Sequence, residues 1–171
     1  MQITAAATAA GSMVGCGRSV SPWRSLSAEE AHTLEAICER LIPADQDPGA
    51  AWAGVVNYID RQLTGPFRRY RKTYRFGLAA TDGTSRAMFD KPFVELTAQQ
   101  QDDVLKSMDE GKAGGGNWKQ VSAKTFFDLV LSHTLQGFYG DPRHGGNRDR
   151  ASWKMLKLPY PPVRGRQNAS G

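Results

Sequence analysis

Two histidines and two aspartates lie close together near the carboxy-terminal end of a 171-residue chain. His133 and His144, with Asp141 and Asp149, are residue types that ligate a divalent metal. Histidine ligands usually come as tight pairs, or at i and i+4 on one helix. Here the helical pattern takes in His133 and leaves His144 in a turn-rich stretch, so His133 reads as a hydrogen-bonding residue of a helix face. Gly114-Gly115-Gly116-Asn117 and Gly145-Gly146-Asn147 have the composition of phosphate cradles without the spacing. A P-loop needs GxxxxGK and then Ser or Thr, and a dinucleotide site needs GxGxxG after a strand. Cys16 and Cys38 are the only cysteines, and no CxxC occurs. That removes thioredoxin-like redox chemistry, a four-cysteine zinc or iron–sulfur site and covalent haem attachment. Cys38 falls inside an apolar helical stripe, which favours a buried thiol; a Cys16–Cys38 bridge is the alternative in an oxidising compartment. No Ser/His/Asp set and no carboxylate pair assembles, so the sequence marks no independent active site.

The other chemistry is charge. Lys and Arg number 22 against 17 Asp and Glu, a formal net charge of +5, with an isoelectric point near 9.4. Such a balance points to a polyanion or to an acidic protein surface as partner. The run Arg68-Arg69-Tyr70-Arg71-Lys72-Thr73-Tyr74-Arg75 is basic with interleaved aromatics, as a nucleic-acid-binding segment would be. At helical spacing Tyr70 and Tyr74 join Phe67 and Leu78 on an inward stripe. Arg68, Arg71, Lys72 and Arg75 then share the opposite arc, which is solvated or faces a partner. A basic nucleic-acid-binding helical module is therefore the alternative reading, although no helix-turn-helix or RNA-binding signature accompanies it.

The elements that must carry these residues are helical. The length suits one domain, and a chain of this size buries roughly 70% of its unfolded surface. No run of 18 apolar residues is present, so no transmembrane helix is expected. Ser27-Ala28-Glu29-Glu30 and Thr97-Ala98-Gln99-Gln100 are capping boxes. The first opens a helix with Leu34, Ile37, Cys38 and Leu41 inward, stopped at Pro43. A second helix carries Val55, Val56, Ile59 and Leu63. A third starts with Pro66 at its first position and breaks at Asp82-Gly83, a turn-forming dipeptide. The fourth carries Val104, Leu105 and Met108 and closes in the glycine-rich loop. Ser122 caps the fifth, whose Phe126, Phe127, Val130, Leu131, Thr134, Leu135 and Phe138 cover a broad face. No alternating β pattern and no internal repeat competes. The expected fold is all-α: a single small domain over residues 26–160, with about five main helices and an extended, loop-rich C-terminal segment.

The two ends differ from this domain. Residues 1–25 carry an alanine-rich stretch with no charged side chain before Arg18, and Met13-Val14-Gly15-Cys16 leads small residues into a cysteine. The segment lacks a basic n-region and a long apolar h-region. It reads as the remnant of an export signal, with a flexible Ala/Gly leader as the alternative. The tail from Pro159, including residues 161–171, is proline-rich and reads as extended.

Four blocks are distinctive in order and composition. They are Leu41-Ile42-Pro43-Ala44-Asp45 with Pro48-Gly49-Ala50, and Ala53-Gly54-Val55-Val56-Asn57-Tyr58-Ile59-Asp60. The third runs from Phe126-Phe127 through His133-Thr134-Leu135-Gln136-Gly137-Phe138-Tyr139-Gly140-Asp141-Pro142. The fourth is Gly145-Gly146-Asn147-Arg148-Asp149 with Trp153-Lys154-Met155-Leu156. Together they resemble the gluconate 2-dehydrogenase subunit 3 family over about residues 26–160.

The resemblance implies a cofactor-free small subunit that pairs with a large FAD-dependent subunit of the glucose–methanol–choline (GMC) oxidoreductase class. Electrons would leave through a c-type cytochrome carrying haem. The substrate would be gluconate, another sugar acid or a glycoside, as in glucoside 3-dehydrogenases. The small subunit would support folding, stability or export of the large one, in the periplasm and associated with the membrane. Family members often carry a twin-arginine signal, which this start lacks. The docking surface is expected over residues 139–157 and the tail: Tyr139, Asp141, Arg143, His144, Asn147, Arg148, Asp149, Trp153, Lys154 and Met155, with His144, Asn147, Arg148 and Trp153 as anchors. Arginine and aromatic side chains are the usual anchors of buried interfaces. The alternative is that residues 140–149 fold back and cap the chain's own helices.

Overall fold

Each helix start marked by a capping box forms where the spacing puts it. A computed structural model describes residues 22–158; Cys16, the leader before residue 22 and the tail from residue 159 lie outside them. Helix α1 (Ala28–Leu41) begins at Ser27, whose hydroxyl accepts the Glu30 amide at 3.1 Å while the Glu30 carboxylate accepts the Ser27 amide at 2.8 Å. Helices α2 (Val55–Leu63) and α3 (Arg71–Phe89) follow, and α4 (Ala98–Asp109) starts at the Thr97–Gln100 box. Helix α5 (Ala123–Tyr139) is capped by Ser122, and a short α6 (Ala151–Met155) ends the series. No strand occurs among the described residues.

Helix α5 is the hub, touching each of the other five helices. Its Phe126, Val130 and Phe138 are buried among Leu34 and Ile37 of α1, Ile59 of α2, Tyr74 of α3 and Met108 of α4. Each such side chain stabilises the fold by about 1.5–3 kcal/mol relative to exposure. Two carboxylates do the work of loops. Asp60, 3% exposed, accepts the amides of Arg24, Ser25 and Leu26 at 2.8, 2.8 and 3.0 Å. Residues 22–25, read above as part of the leader, are thereby held against α2. Glu39 accepts the amides of Ala44 and Ala51, each at 2.9 Å, and folds the Pro-rich turn between α1 and α2.

Three expectations need correction. Asp82-Gly83 does not break the third helix, because α3 runs through it to Phe89. Tertiary contacts override the turn propensity: the Asp82 carboxylate accepts the Phe93 amide at 2.9 Å. Gly83 faces the glycine-rich loop so closely that a Cβ there would lie 3.0 Å from the Gly116 Cα. Pro66 is not the first residue of that helix; a 3-10 turn, Arg68–Tyr70, comes between and leads directly into α3. On α5 the buried stripe is rotated from the expected one, leaving Leu135 41% exposed and His133 only 4% exposed.

The His133 ring lies parallel to Phe67, with centroids 3.9 Å apart, and its Nδ1 shares a 2.9 Å hydrogen bond with the Tyr74 hydroxyl. Beside it Cys38 Sγ and Thr134 Oγ1 are 3.2 Å apart, and burial pushes the Cys38 thiol up to about 12. Burial, with the nearby Arg69 charge, pushes His133 down from 6.5 to about 4. The folded state therefore holds a neutral ring that the unfolded chain would protonate. The stability that depends on this neutral ring is full above about pH 6.5 and is lost as pH falls toward 4, by up to about 3 kcal/mol. We expect urea midpoints of the wild-type chain to decline over that window and those of His133→Phe to decline less steeply. Equal slopes would remove His133 as the source.

Candidate functional site

The carboxy-terminal block wraps back over the end of α5, and two glycines let it do so. A Cβ on Gly146 would lie 2.2 Å from the Gly137 carbonyl oxygen, and one on Gly137 would lie 2.9 Å from the Tyr58 ring. Backbone therefore touches backbone where α5 meets the returning chain. Asn147, fully buried, fastens the contact: its Nδ2 donates to the Gly140 carbonyl at 2.8 Å, and its Oδ1 accepts the Ser152 amide at 3.0 Å. The next residue ties the loop to the start of α2, the Arg148 amide donating to the Ala53 carbonyl at 3.0 Å.

This anchorage holds an unusual backbone. Asn147, Asp149 and Arg150 all have positive φ, at 46°, 50° and 60°. Asn and Asp tolerate the left-handed region, but an arginine there is strained, and such residues cost about 1–3 kcal/mol each. The buried Ser152 hydroxyl has no hydrogen-bond partner. The surrounding contacts must offset these costs, and strain of this kind clusters at functional surfaces.

The loop presents its charged side chains outward. Arg143, His144, Arg148 and Asp149 are exposed, and the Arg148 guanidinium lies 5.7 Å from the centre of the Trp52 ring. Asp141 caps the 3-10 turn Pro142–His144 through the Arg143 amide and pairs with the Arg143 guanidinium at 2.9 Å. Tyr139 is 41% exposed and packs edge-on against Phe138. The half-buried Trp153 donates its indole N–H to the Tyr139 carbonyl at 3.0 Å. Lys154 is exposed, whereas Met155 packs against the core.

Of the expected anchors, His144 and Arg148 are exposed and Trp153 is half-buried. Asn147 is interior and positions the loop. Residues 140–149 do fold back onto the chain's own helices, and they expose a set of side chains in doing so. Sequence reading missed Trp52, 45% exposed on the turn before α2. The signal was there in a tryptophan placed next to the turn-forming Pro48-Gly49.

Among the described residues no group of three His, Cys, Asp or Glu is placed to hold a metal. The glycine-rich loop lines an open cavity of about 540 Å³ with Ala113, Asn117, Trp118 and Lys119. Two of its glycines pack on α3: a Cβ on Gly115 would lie 2.1 Å from the Ala87 Cβ, and one on Gly116 would lie 2.2 Å from the Ala80 carbonyl. No helix among the described residues is long and apolar enough to cross a membrane.

Asn147→Ala removes two buried hydrogen bonds and keeps a side chain at a positive φ. We expect a loss of about 2–4 kcal/mol, measured by urea unfolding, with faster amide exchange at Arg148 and Ser152. Asn147→Gly relieves the backbone strain and should be milder. A stable Asn147→Ala variant would show that the loop is held by other contacts.

A profile of the family described as gluconate 2-dehydrogenase subunit 3 matches residues 28–159, from the first residue of α1 to just beyond α6. None of the curated proteins and none of the solved structures matches the chain. The profile spans every helix described above and the whole outward-facing loop, and its name is that of one subunit of a dehydrogenase complex. The chain belongs to the gluconate 2-dehydrogenase subunit 3 family.

Proposed function

We propose that this chain is the non-catalytic small subunit of an FAD-dependent, GMC-type dehydrogenase acting on a sugar, a sugar acid or a glycoside. The chain docks on the large flavoprotein subunit and supports its folding, stability or export. The observation that carries this reading is the strained loop at the end of α5. Its backbone is fixed by buried Asn147; Arg143, His144 and Arg148 are exposed on it, Arg148 beside exposed Trp52, and Tyr139 is exposed at the end of α5. Rigid presentation lowers the entropic cost of ordering an interface, and arginine with aromatic side chains is the composition of interface hot spots.

The cofactor belongs to the partner in this reading. Gly115, Gly116 and Gly146 pack against the chain's own helices, and no strand–turn–helix unit exists among the described residues to seat a dinucleotide. FAD would supply the hydride acceptor in the large subunit, and a haem-containing c-type cytochrome would take the electrons onward. The periplasm, with membrane association through the complex, is the place this assembly implies.

Co-expression with the large subunit tests the reading. The wild-type chain should recover a yellow, FAD-containing complex. An Arg148→Ala, Trp153→Ala double variant should recover about a tenth of it or less, two interface anchors together contributing more than about 1.4 kcal/mol. His144→Glu with Arg148→Glu, which alters exposed side chains alone, should act alike with unchanged circular dichroism. Unchanged co-purification and dehydrogenase activity in both would overturn the docking face.

A further inference from the structure

A second basic surface lies apart from the loop. Arg68, Arg69, Arg71, Lys72 and Arg75 line a cleft of about 370 Å³ where the 3-10 turn runs into α3. Among the described residues Arg75 alone of the five has an ion pair, a loose 3.7 Å contact with Glu30. Two of the others are held in place by neutral groups. Arg69 donates to the Tyr70 hydroxyl at 3.0 Å and lies over its ring, and Arg71 donates to the Ser25 hydroxyl at 3.1 Å. Arg68 and Lys72 are exposed, with no ion-pair partner among the described residues. The first turn of α3 contains no acid, so Arg71 and Lys72 stand at the positive end of the helix dipole, where cations are unfavourable. Five cations gathered against that dipole are a local electrostatic cost that an anion would relieve.

Residues 1–21 and 159–171 contain no Asp or Glu, and the latter add Arg164 and Arg166. The cleft is also short, eight helical residues spanning about 12 Å. Asp102 and Asp109 on α4 are already paired with Arg40 and Lys124, at 2.7 and 3.0 Å. A duplex backbone or an anionic bilayer is an extended surface, larger than this cleft. Arginine, four of the five side chains here, pairs bidentately through its planar fork with carboxylates as it does with phosphates.

We propose that this cleft binds a short acidic segment, rich in Asp or Glu, of a protein partner. Identifying that partner as the large subunit rests on the accessory-subunit reading; the binding chemistry itself does not. The full chain is titrated against a fluorescein-labelled polyglutamate peptide by anisotropy at low salt. Binding should weaken as salt rises, and Arg68→Glu with Lys72→Glu should weaken it about tenfold or more. Lys91→Glu with Lys119→Glu, the same change of net charge at other exposed sites, should change it by less than about twofold. Arg68→Gln with Lys72→Gln provides the milder variant if charge reversal disturbs folding. Absent peptide binding, or equal losses in the two charge-reversed variants, overturns the proposal. Tighter binding of duplex DNA or of phosphatidylglycerol vesicles at the same ionic strength also overturns it, by assigning the cleft to a phosphate surface. Because the assay uses this chain alone, it fails or succeeds separately from the co-purification of the flavoprotein.

Discussion

Where Gly146 lies on Gly137, two stretches of main chain meet with no side chain between them. Any β-carbon at residue 146 would sit inside the Gly137 carbonyl, so the contact has one geometry or none. From that point the returning loop is levered into place: Asn147 is buried beneath it, the Arg148 amide reaches Ala53, and the Arg148 side chain is left beside Trp52. Because α5 also touches every other helix, the outward set is coupled to the whole core. A loop thus acquires the rigidity of the helix it lies on, which lowers the entropic cost of any contact it makes.

The helices were legible because their signals are local. The Ser27 and Thr97 boxes need only a residue and its neighbour three positions on, and both form. The glycine-rich turn after α4 and the buried stripes of α1 and α2 follow from the same short-range rules. What the sequence hid depends on distant partners. Asp82-Gly83 carries turn propensity, but the Phe93 amide and the backbone at Gly116 give those two residues a use inside a helix. Asn147 lies in a polar run that reads as surface, yet it is fully buried, because two separate backbone groups, the Gly140 carbonyl and the Ser152 amide, converge on its side chain. The family-like segment and the exposed side chains of the loop coincide, whereas the placement of Trp52 beside Arg148 came only from three dimensions.

The positive charge divides into two kinds of surface. Around the loop it is mixed with aromatics and with Asp141, which already pairs with Arg143, so specificity there comes from shape and hydrogen bonding. Along the start of α3 the charge is concentrated and little compensated, so its contribution is attraction and orientation. A subunit that must find one partner among many gains from having both. The steering surface acts over roughly a Debye length of about 8–10 Å, and the shaped one acts only on contact.

Cys38 has a consequence for how the chain withstands oxidants. Sulfenic and sulfinic acids form from the thiolate, and a thiol pushed up to about 12 is thiolate in about one molecule in 10⁵ at neutral pH. With no exposed surface and a hydroxyl neighbour in Thr134, it offers peroxide almost nothing to attack. The cysteine at the centre of the helical core therefore needs neither a disulfide partner nor a reducing compartment to persist unmodified. Its chemical integrity follows from the same packing that holds α1 to α5.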